Sequence, residues 1–367
     1  MKIVYDGQVF VEQTYGGISR YICALASHLA RLPGMEVQVV APLHVNGYLR
    51  ELASNLVVGR YVPRLPNTAR AIKSLGTALC GPVSYLMRPD LVHETYYAEQ
   101  AVCRSRVPHV LTVYDMIEER FPESFPAGYP LKRRKRCAVY RADHVFCISE
   151  STRRDLLDLY EFPDDRVSVT YLGCEPLAQS GLTVEHLVGA SPFILFVAGR
   201  HGYKNFEGLI RAYAASGWLQ ENFRVVCFGA GAFSSEELEL MAGLGLTTAQ
   251  VLQLGGGDER LSALYQAAAA LVYPSKYEGF GIPPLEAMWL DCPVICSNSS
   301  SIPEVVGEAG EYFDPLDQDS IRSSMERVLQ STERRQELIG LGRIRRELFT
   351  WERCAQQTAE VYRRLVS

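Results

Sequence analysis

Short apolar runs recur along the chain between segments of helical period, and the alternation starts afresh half-way. Ile3-Val4-Tyr5, Val37 to Val40, Leu91-Val92-His93, Val110 to Val113, Val145 to Ile148 and Val167 to Thr170 read as strands of one sheet. Phe193 to Val197, Val225 to Phe228, Val251 to Leu254, Leu271 to Tyr273 and Val294 to Cys296 read as strands of a second. Runs this short, apolar on both faces and separated by helices, predict parallel strands covered by helices on each side. After the first strand a polar loop leads to Gly16-Gly17, and Ile18, Tyr21, Ile22, Leu25, Leu29 and Leu32 then follow a helical period. Residues 43 to 89 are less regular, because Pro63, Pro66, Pro82 and Pro89 interrupt helix-like pieces carrying Arg60, Arg64, Arg70, Lys73 and Arg88. Mixed glycine, proline and polar residues from Tyr171 to Pro176 read as a linker. Trp351, Cys354, Ala355, Thr358, Ala359, Tyr362, Leu365 and Val366 form a last helical stripe behind Thr350 as cap. The pattern predicts an α/β protein with two doubly wound domains, 1–175 and 176–348, and a terminal helix over 349–367.

Composition narrows the class. The 367 residues suit two domains of middling size, each with its own core. Apolar residues make up 47% and charged residues 22%, and a net charge of -5 argues against a general nucleic-acid binder. No apolar run reaches the ~18 residues of a membrane span and no leader precedes the first strand, so the expectation is a cytoplasmic protein. The ten cysteines are scattered through apolar runs and read as small core residues; Cys292 and Cys296 lack the spacing and the neighbouring histidine of a zinc site.

The densest chemistry lies between Tyr273 and Ser297. Pro274-Ser275 ends one strand, Gly279 and Gly281 free the backbone, and Pro283-Pro284 open a helix through Leu285, Ala287, Met288 and Leu290. A helix entered through a glycine loop presents unpaired N–H groups and positive dipole to an anion. Glu278 stands before that loop and Glu286 is expected in the first helical turn. Carboxylates repel phosphate but accept hydrogen bonds from hydroxyls. A phosphate flanked by hydroxyl-bearing groups, as in a nucleotide sugar, fits such a loop; a solvated Glu278 and a helix-stabilising Glu286 are the bland alternative.

Other groups gather at the same kind of sheet edge. The loop after Phe193 to Val197 holds Gly199-Arg200-His201-Gly202-Tyr203-Lys204-Asn205, two cations in a glycine loop suited to a diphosphate. Gly229-Ala230-Gly231 reads as a tight turn, because Ser234 occupies the third-glycine position of a dinucleotide fingerprint. His93 and Asp115 lie at strand ends, where open α/β sheets bind ligands, though each could simply cap a turn. Lys132, Arg133, Arg134, Lys135 and Arg136 form the dense basic run, either a solvated helix face or a contact for anionic lipid or acceptor. Asp317-Gln318-Asp319 reads as helix capping, with no metal expected.

E-G-F-G-I-P-P-L-E, with seven residues between Glu278 and Glu286, resembles the signature of retaining glycosyltransferases of family 4. Y-G-G-I-S-R-Y, H-E-T-Y-Y, T-V-Y-D-M-I-E-E-R-F-P and G-R-H-G-Y-K-N-F resemble further segments of that family, extending the likeness over nearly the whole chain. The resemblance implies a GT-B fold: two Rossmann-like domains facing across a cleft, the last helix crossing back to the first. It implies a nucleoside-diphosphate-sugar donor on the second domain and a glycan or lipid-linked acceptor on the first, which includes the variable region. Arg200 and Lys204 would grip the diphosphate, with Gly16, Gly17, Gly199, Gly279, Phe280, Gly281 and Ile282 around the donor. Glu286 would hold ribose and Glu278 sugar hydroxyls, and a metal would be unnecessary. Tyr114 stands where the family often has a histidine that contacts the transferred sugar. Mannose or glucose, from GDP-mannose or UDP-glucose, is the expected hexose. A glycoside hydrolase using Glu278 and Glu286 and a non-catalytic two-domain sugar-binding protein are the alternatives.

Overall fold

The computed structural model describes residues 1–63, 69–126, 128–175, 177, 180–200 and 202–367. Arg64, Pro66, Pro176 and His201, named above, lie outside them. Contacts divide the chain into two units: Met1–Gly173 with Trp351–Ser367, and Cys174–Thr350.

The first unit holds β1 (Lys2–Tyr5), β2 (Glu36–His44), β3 (Val57–Tyr61), β4 (Leu91–Glu94), β5 (His109–Val113), β6 (His144–Cys147) and β7 (Val167–Val169). The second holds β8 (Phe193–Val197), β9 (Arg224–Phe228), β10 (Val251–Leu254), β11 (Ala270–Tyr273), β12 (Val294–Ser297) and β13 (Gly310–Phe313). The strand orders are β3-β2-β1-β4-β5-β6-β7 and β10-β9-β8-β11-β12-β13. All pairings are parallel among the described residues. Each unit thus starts in mid-sheet, grows to one edge, then returns to grow toward the other. This is the doubly wound order, whose switch points lie between β1 and β4 and between β8 and β11.

Four stretches depart from the sequence reading. The polar loop after β1 contains a short helix, Gln8–Glu12, whose Val9 and Phe10 are fully buried. The pieces expected between residues 69 and 86 are one helix, Ala69–Leu86, running through Pro82. Strands β3 and β13 were not foreseen; both are sheet edges, with fewer apolar residues than the central strands.

The helix Trp351–Val366 packs within the first unit against the helix Gly17–Leu29. Trp351 lies beside Tyr21 and His28. Gly173 makes room for it: a Cβ there would meet the Trp351 nitrogen at 2.4 Å. The Tyr362 hydroxyl reaches the Tyr5 hydroxyl at 2.8 Å and pairs with His93 Nδ1, joining the last helix to the centre of the sheet.

Candidate functional site

In the second unit the loops after β8 and β11 leave adjacent strands at the switch point, so sheet topology brings them together. Asn205, in the left-handed region at φ 57°, donates from Nδ2 to Pro274 O at 3.1 Å and Pro315 O at 2.8 Å. The backbone N–H of Lys276 donates to Tyr203 O at 2.7 Å. Held by these bonds, Lys204 Nζ donates to both oxygens of Glu278, at 2.7 and 2.9 Å. The two side chains are only 19% and 9% exposed, so the pair interacts through a medium far less screening than water.

Glu278 is fixed from behind. Its backbone N–H donates to Ser300 Oγ at 2.8 Å, while Ser301 Oγ donates to the carbonyls of Glu278 and Phe280 at 2.9 and 2.8 Å. Gly281, at φ 119°, turns the chain into the helix Ile282–Trp289, a backbone value that side-chain-bearing residues rarely adopt. No side chain caps that helix, and its first turn carries no acid. Glu286 therefore lies past the first turn, not in it. It is buried, and Tyr265 donates to it at 3.2 Å. Burial, then the nearby glutamate, pushes the Tyr265 and Tyr273 phenols far up, beside Glu286 and Glu278 respectively, so both stay neutral donors.

The structure gives Arg200 a different place from the one expected. Its Nε donates to Glu237 at 2.9 Å, and its other nitrogens to the carbonyls of Gly229, Gly231 and Ala232 at 3.2, 3.0 and 2.8 Å. Phe233 stacks below the guanidinium at 4.7 Å. With four N–H bonds committed to protein, Arg200 braces the turn at Gly229, Ala230 and Gly231, all at positive φ. Phe280 is likewise a core ring, edge-on to Phe349, so only its backbone borders the loop. Asp317 accepts from the N–H groups of Asp319 and Ser320 and caps its own helix. Among the described residues no cluster of three His, Cys, Asp or Glu side chains could hold a metal.

In the first unit the expected contacts turn inward. His93 is wholly buried, with Nε2 on Thr112 at 2.9 Å and Nδ1 on Tyr362; burial lowers its pKa to about 3. It is a neutral core imidazole with both ring nitrogens bonded to protein side chains. Tyr114 is buried as well and donates to Thr95 O at 3.2 Å. Asp115 accepts from the N–H of Ile117 at 3.1 Å, the turn-capping alternative. Gly16 precedes the helix Gly17–Leu29 in extended backbone; a Cβ there would strike the Gln13 carboxamide at 2.3 Å, whereas one at Gly17 would meet nothing.

The basic run is not a uniform face. Lys135 is 1% exposed and donates to Asp115 O, Glu118 and Glu119 at 2.9, 2.6 and 2.9 Å. Burial alone would lower its pKa, but the three carboxylates raise it above its ordinary value. Arg133 pairs with Glu99, and Arg136 lies over the rings of Tyr140 and Tyr160.

Sequence reasoning missed Asp6, Ser300 and Ser301. Asp6 follows β1 as Asp115 follows β5, and the same sheet-edge logic could have found it. Nothing local marks the two serines, because their partners are carbonyl and N–H groups more than 20 residues away.

Two family models match: "Glycosyl transferases group 1" over residues 184–345 and "Glycosyltransferase Family 4" over residues 15–176. The O-antigen chain mannosyltransferase B of Escherichia coli is 32% identical over 230 residues, 60% of each chain. The alpha-maltose-1-phosphate synthase of Mycolicibacterium smegmatis is 26% identical over the full length of both. The match spans 29% of the serotype-specific mannosyltransferase WbdA of Escherichia coli, so the chain covers about a third to three fifths of the first mannosyltransferases it resembles. Anabaena HepE, solved in complex with UDP and glucose, superposes with a TM-score of 0.73 at 18% identity, covering 98% of this chain and 99% of that one. A glycosyltransferase from Rickettsia africae ESF-5 gives a TM-score of 0.73 at 17% identity, covering 100% and 98%. With one model over most of each unit and the doubly wound order built twice, the chain belongs to the group 1, family 4 glycosyltransferases and has their GT-B fold.

Proposed function

We propose that the protein transfers a hexose, with retention of configuration and without a metal, from a nucleoside-diphosphate sugar bound by the second unit to a glycan or lipid-linked acceptor. The observation that carries this reading is the Lys204–Glu278 pair beside the uncapped N-terminus after Gly281. Lys204 and the N–H groups of the 281–282 region stabilise charge as the diphosphate departs, an electrostatic contribution of the kind that dominates such reactions. Glu278, held by Ser300 and oriented by Lys204, accepts from hydroxyls of the transferred sugar. Glu286 accepts from the ribose hydroxyls. The departing phosphate takes the acceptor proton. Mannose is the favoured hexose, supported by the mannosyltransferase relatives; the UDP and glucose in HepE make UDP-glucose the second donor to try. Against hydrolysis, the carboxylate nearest the loop accepts two hydrogen bonds from Lys204, an arrangement that suits neither a general acid nor a pair spaced about a scissile bond.

The test is nucleotide release from GDP-mannose, UDP-glucose and other nucleotide sugars, with and without EDTA, followed by NMR of the product's anomeric configuration. Release of one nucleotide, unchanged by EDTA and giving a retained linkage, is expected. Loss in EDTA restored by Mg²⁺ would overturn metal independence, and an inverted linkage would overturn retention.

A further inference from the structure

The helix Ala69–Leu86 has its large side chains on the wrong side for a helix facing water. Its inner face is built from Gly76, Cys80, Gly81 and Ser84, with Ile72 as the one large buried residue. A Cβ at Gly76 would stand 2.7 Å from Leu43 O, and one at Gly81 2.6 Å from Val102 O. At Gly76 and Gly81 the backbone therefore lies close on β2 and on the segment near Val102, with Val83 only partly buried against the core. The large residues point out instead: Leu75, Leu79, Tyr85 and Leu86 are 55%, 44%, 70% and 76% exposed. Ala71, Leu75, Ala78, Pro82 and Tyr85 follow alternating steps of four and three, a continuous apolar seam. No charged residue occurs from Ser74 to Met87. A cavity of about 770 Å³ runs beside this seam, lined by Ala78, Pro82, Leu86, Ala101, Val102 and Arg104 among others.

Charge flanks the seam at both ends. Arg70 lies in the first helical turn, where a cation opposes the helix dipole, and Arg88 stands just past the last. Arg104 and Arg106 are exposed on the adjoining segment. Arg70, Arg88 and Arg106 have no acidic partner among the described residues, whereas Lys73 meets Glu12. A second copy docking across a two-fold axis would bring Arg70 of one helix toward Arg88 of the other, like charge against like.

We propose that this face docks on an anionic lipid bilayer, Leu75, Leu79, Tyr85 and Leu86 entering the headgroup–acyl boundary and the flanking arginines meeting lipid phosphates. The face is built from residues outside the Lys132 to Arg136 run, where Lys135 is buried and Arg133 paired with Glu99. It stands independently of the donor chemistry proposed above.

Flotation of the full chain with vesicles of phosphatidylglycerol and phosphatidylcholine in equal parts, and of phosphatidylcholine alone, tests it. Leu79→Glu with Leu86→Glu should weaken binding to the mixed vesicles about tenfold or more. Arg70→Gln with Arg88→Gln should weaken binding about tenfold, on the anionic vesicles only. Lys132→Gln with Arg134→Gln should leave it unchanged. Thermal melts check that each variant folds, and Leu86→Trp supplies a second measure: its fluorescence should shift to the blue on the mixed vesicles. No vesicle binding by the wild type, binding indifferent to the leucine pair, or an unshifted tryptophan would each overturn the proposal. So would a dimer in sedimentation velocity that Leu79→Glu dissolves, which assigns the face to a second copy.

Discussion

At the switch point of the first sheet the loops after β1 and β4 are closed by a buried carboxylate. Asp6 accepts from the N–H and hydroxyl of Thr95 at 3.0 and 2.7 Å and from the N–H of Gln8 at 3.2 Å. Burial, then Glu94, pushes it up to about 6, against those hydrogen bonds. At the switch point of the second sheet Glu278 instead meets a lysine, next to a helix start that no side chain caps. One strand order thus produces a sealed junction in one unit and a charged, partly open one in the other. Topology sets where loops converge; the side chains at the loop tips decide whether the convergence is packing or a site.

The sharpest way to break that contrast is at the cations. Lys204→Ala should lower kcat by roughly 10² to 10³, the scale of one preorganised electrostatic donor. Arg200→Ala should instead destabilise the second unit by about 3 kcal/mol, because it strips a buried charge partner from Glu237 and three carbonyls. Hydrogen exchange over residues 229–237 should rise with it. A fully stable, inactive Arg200→Ala protein would return that arginine to the chemistry.

The sealed junction also predicts where acid acts. Burial lowers His93 to about 3 and His44 and His144 to about 4, all in the first unit. Folded, they stay neutral while their unfolded forms bind protons near pH 6.5, so this stability is lost as pH falls below 6.5. Asp6 runs the other way: raised to about 6, it contributes stability at low pH that is lost as pH rises through 6. Three histidines outweigh one carboxyl, and between pH 6.5 and 5 the first unit should lose on the order of a few kcal/mol. Hydrogen exchange at the two pH values should show faster exchange in β1, β4 and β5 than in β8 and β11. Equal acceleration in both units would contradict it.

Tyr362→Phe removes the hydroxyl shared by Tyr5 and His93 and should cost about 1–3 kcal/mol, leaving donor KM unchanged. A shifted KM would mean that the last helix reaches the donor site. The smallest expected effect separates the two glutamates. Glu286→Gln should raise donor KM about tenfold with little change in kcat, since ribose is remote from the breaking bond; Glu278→Gln should act mainly on kcat. Both variants losing kcat equally at unchanged donor affinity would favour carboxylate acid/base chemistry.

Much of this protein could be read along the chain. Central strands announce themselves because they are buried on both faces and so are continuously apolar, as in F-I-L-F-V and V-V-C-F. The edge strands β3 and β13 did not, because V-V-G-R-Y and G-E-Y-F mix polar and apolar residues. Gly281, the proline-opened helix and the Glu278 and Glu286 spacing were legible, since turn and helix-start chemistry is local. What only the tertiary structure decided is which charged groups meet. Lys204 and Arg200 lie four positions apart in one glycine loop, yet one faces Glu278 and the other is spent on the 229–232 turn. Residue type and spacing carry no record of that choice; it depends on partners far along the chain and on how deeply each group is buried.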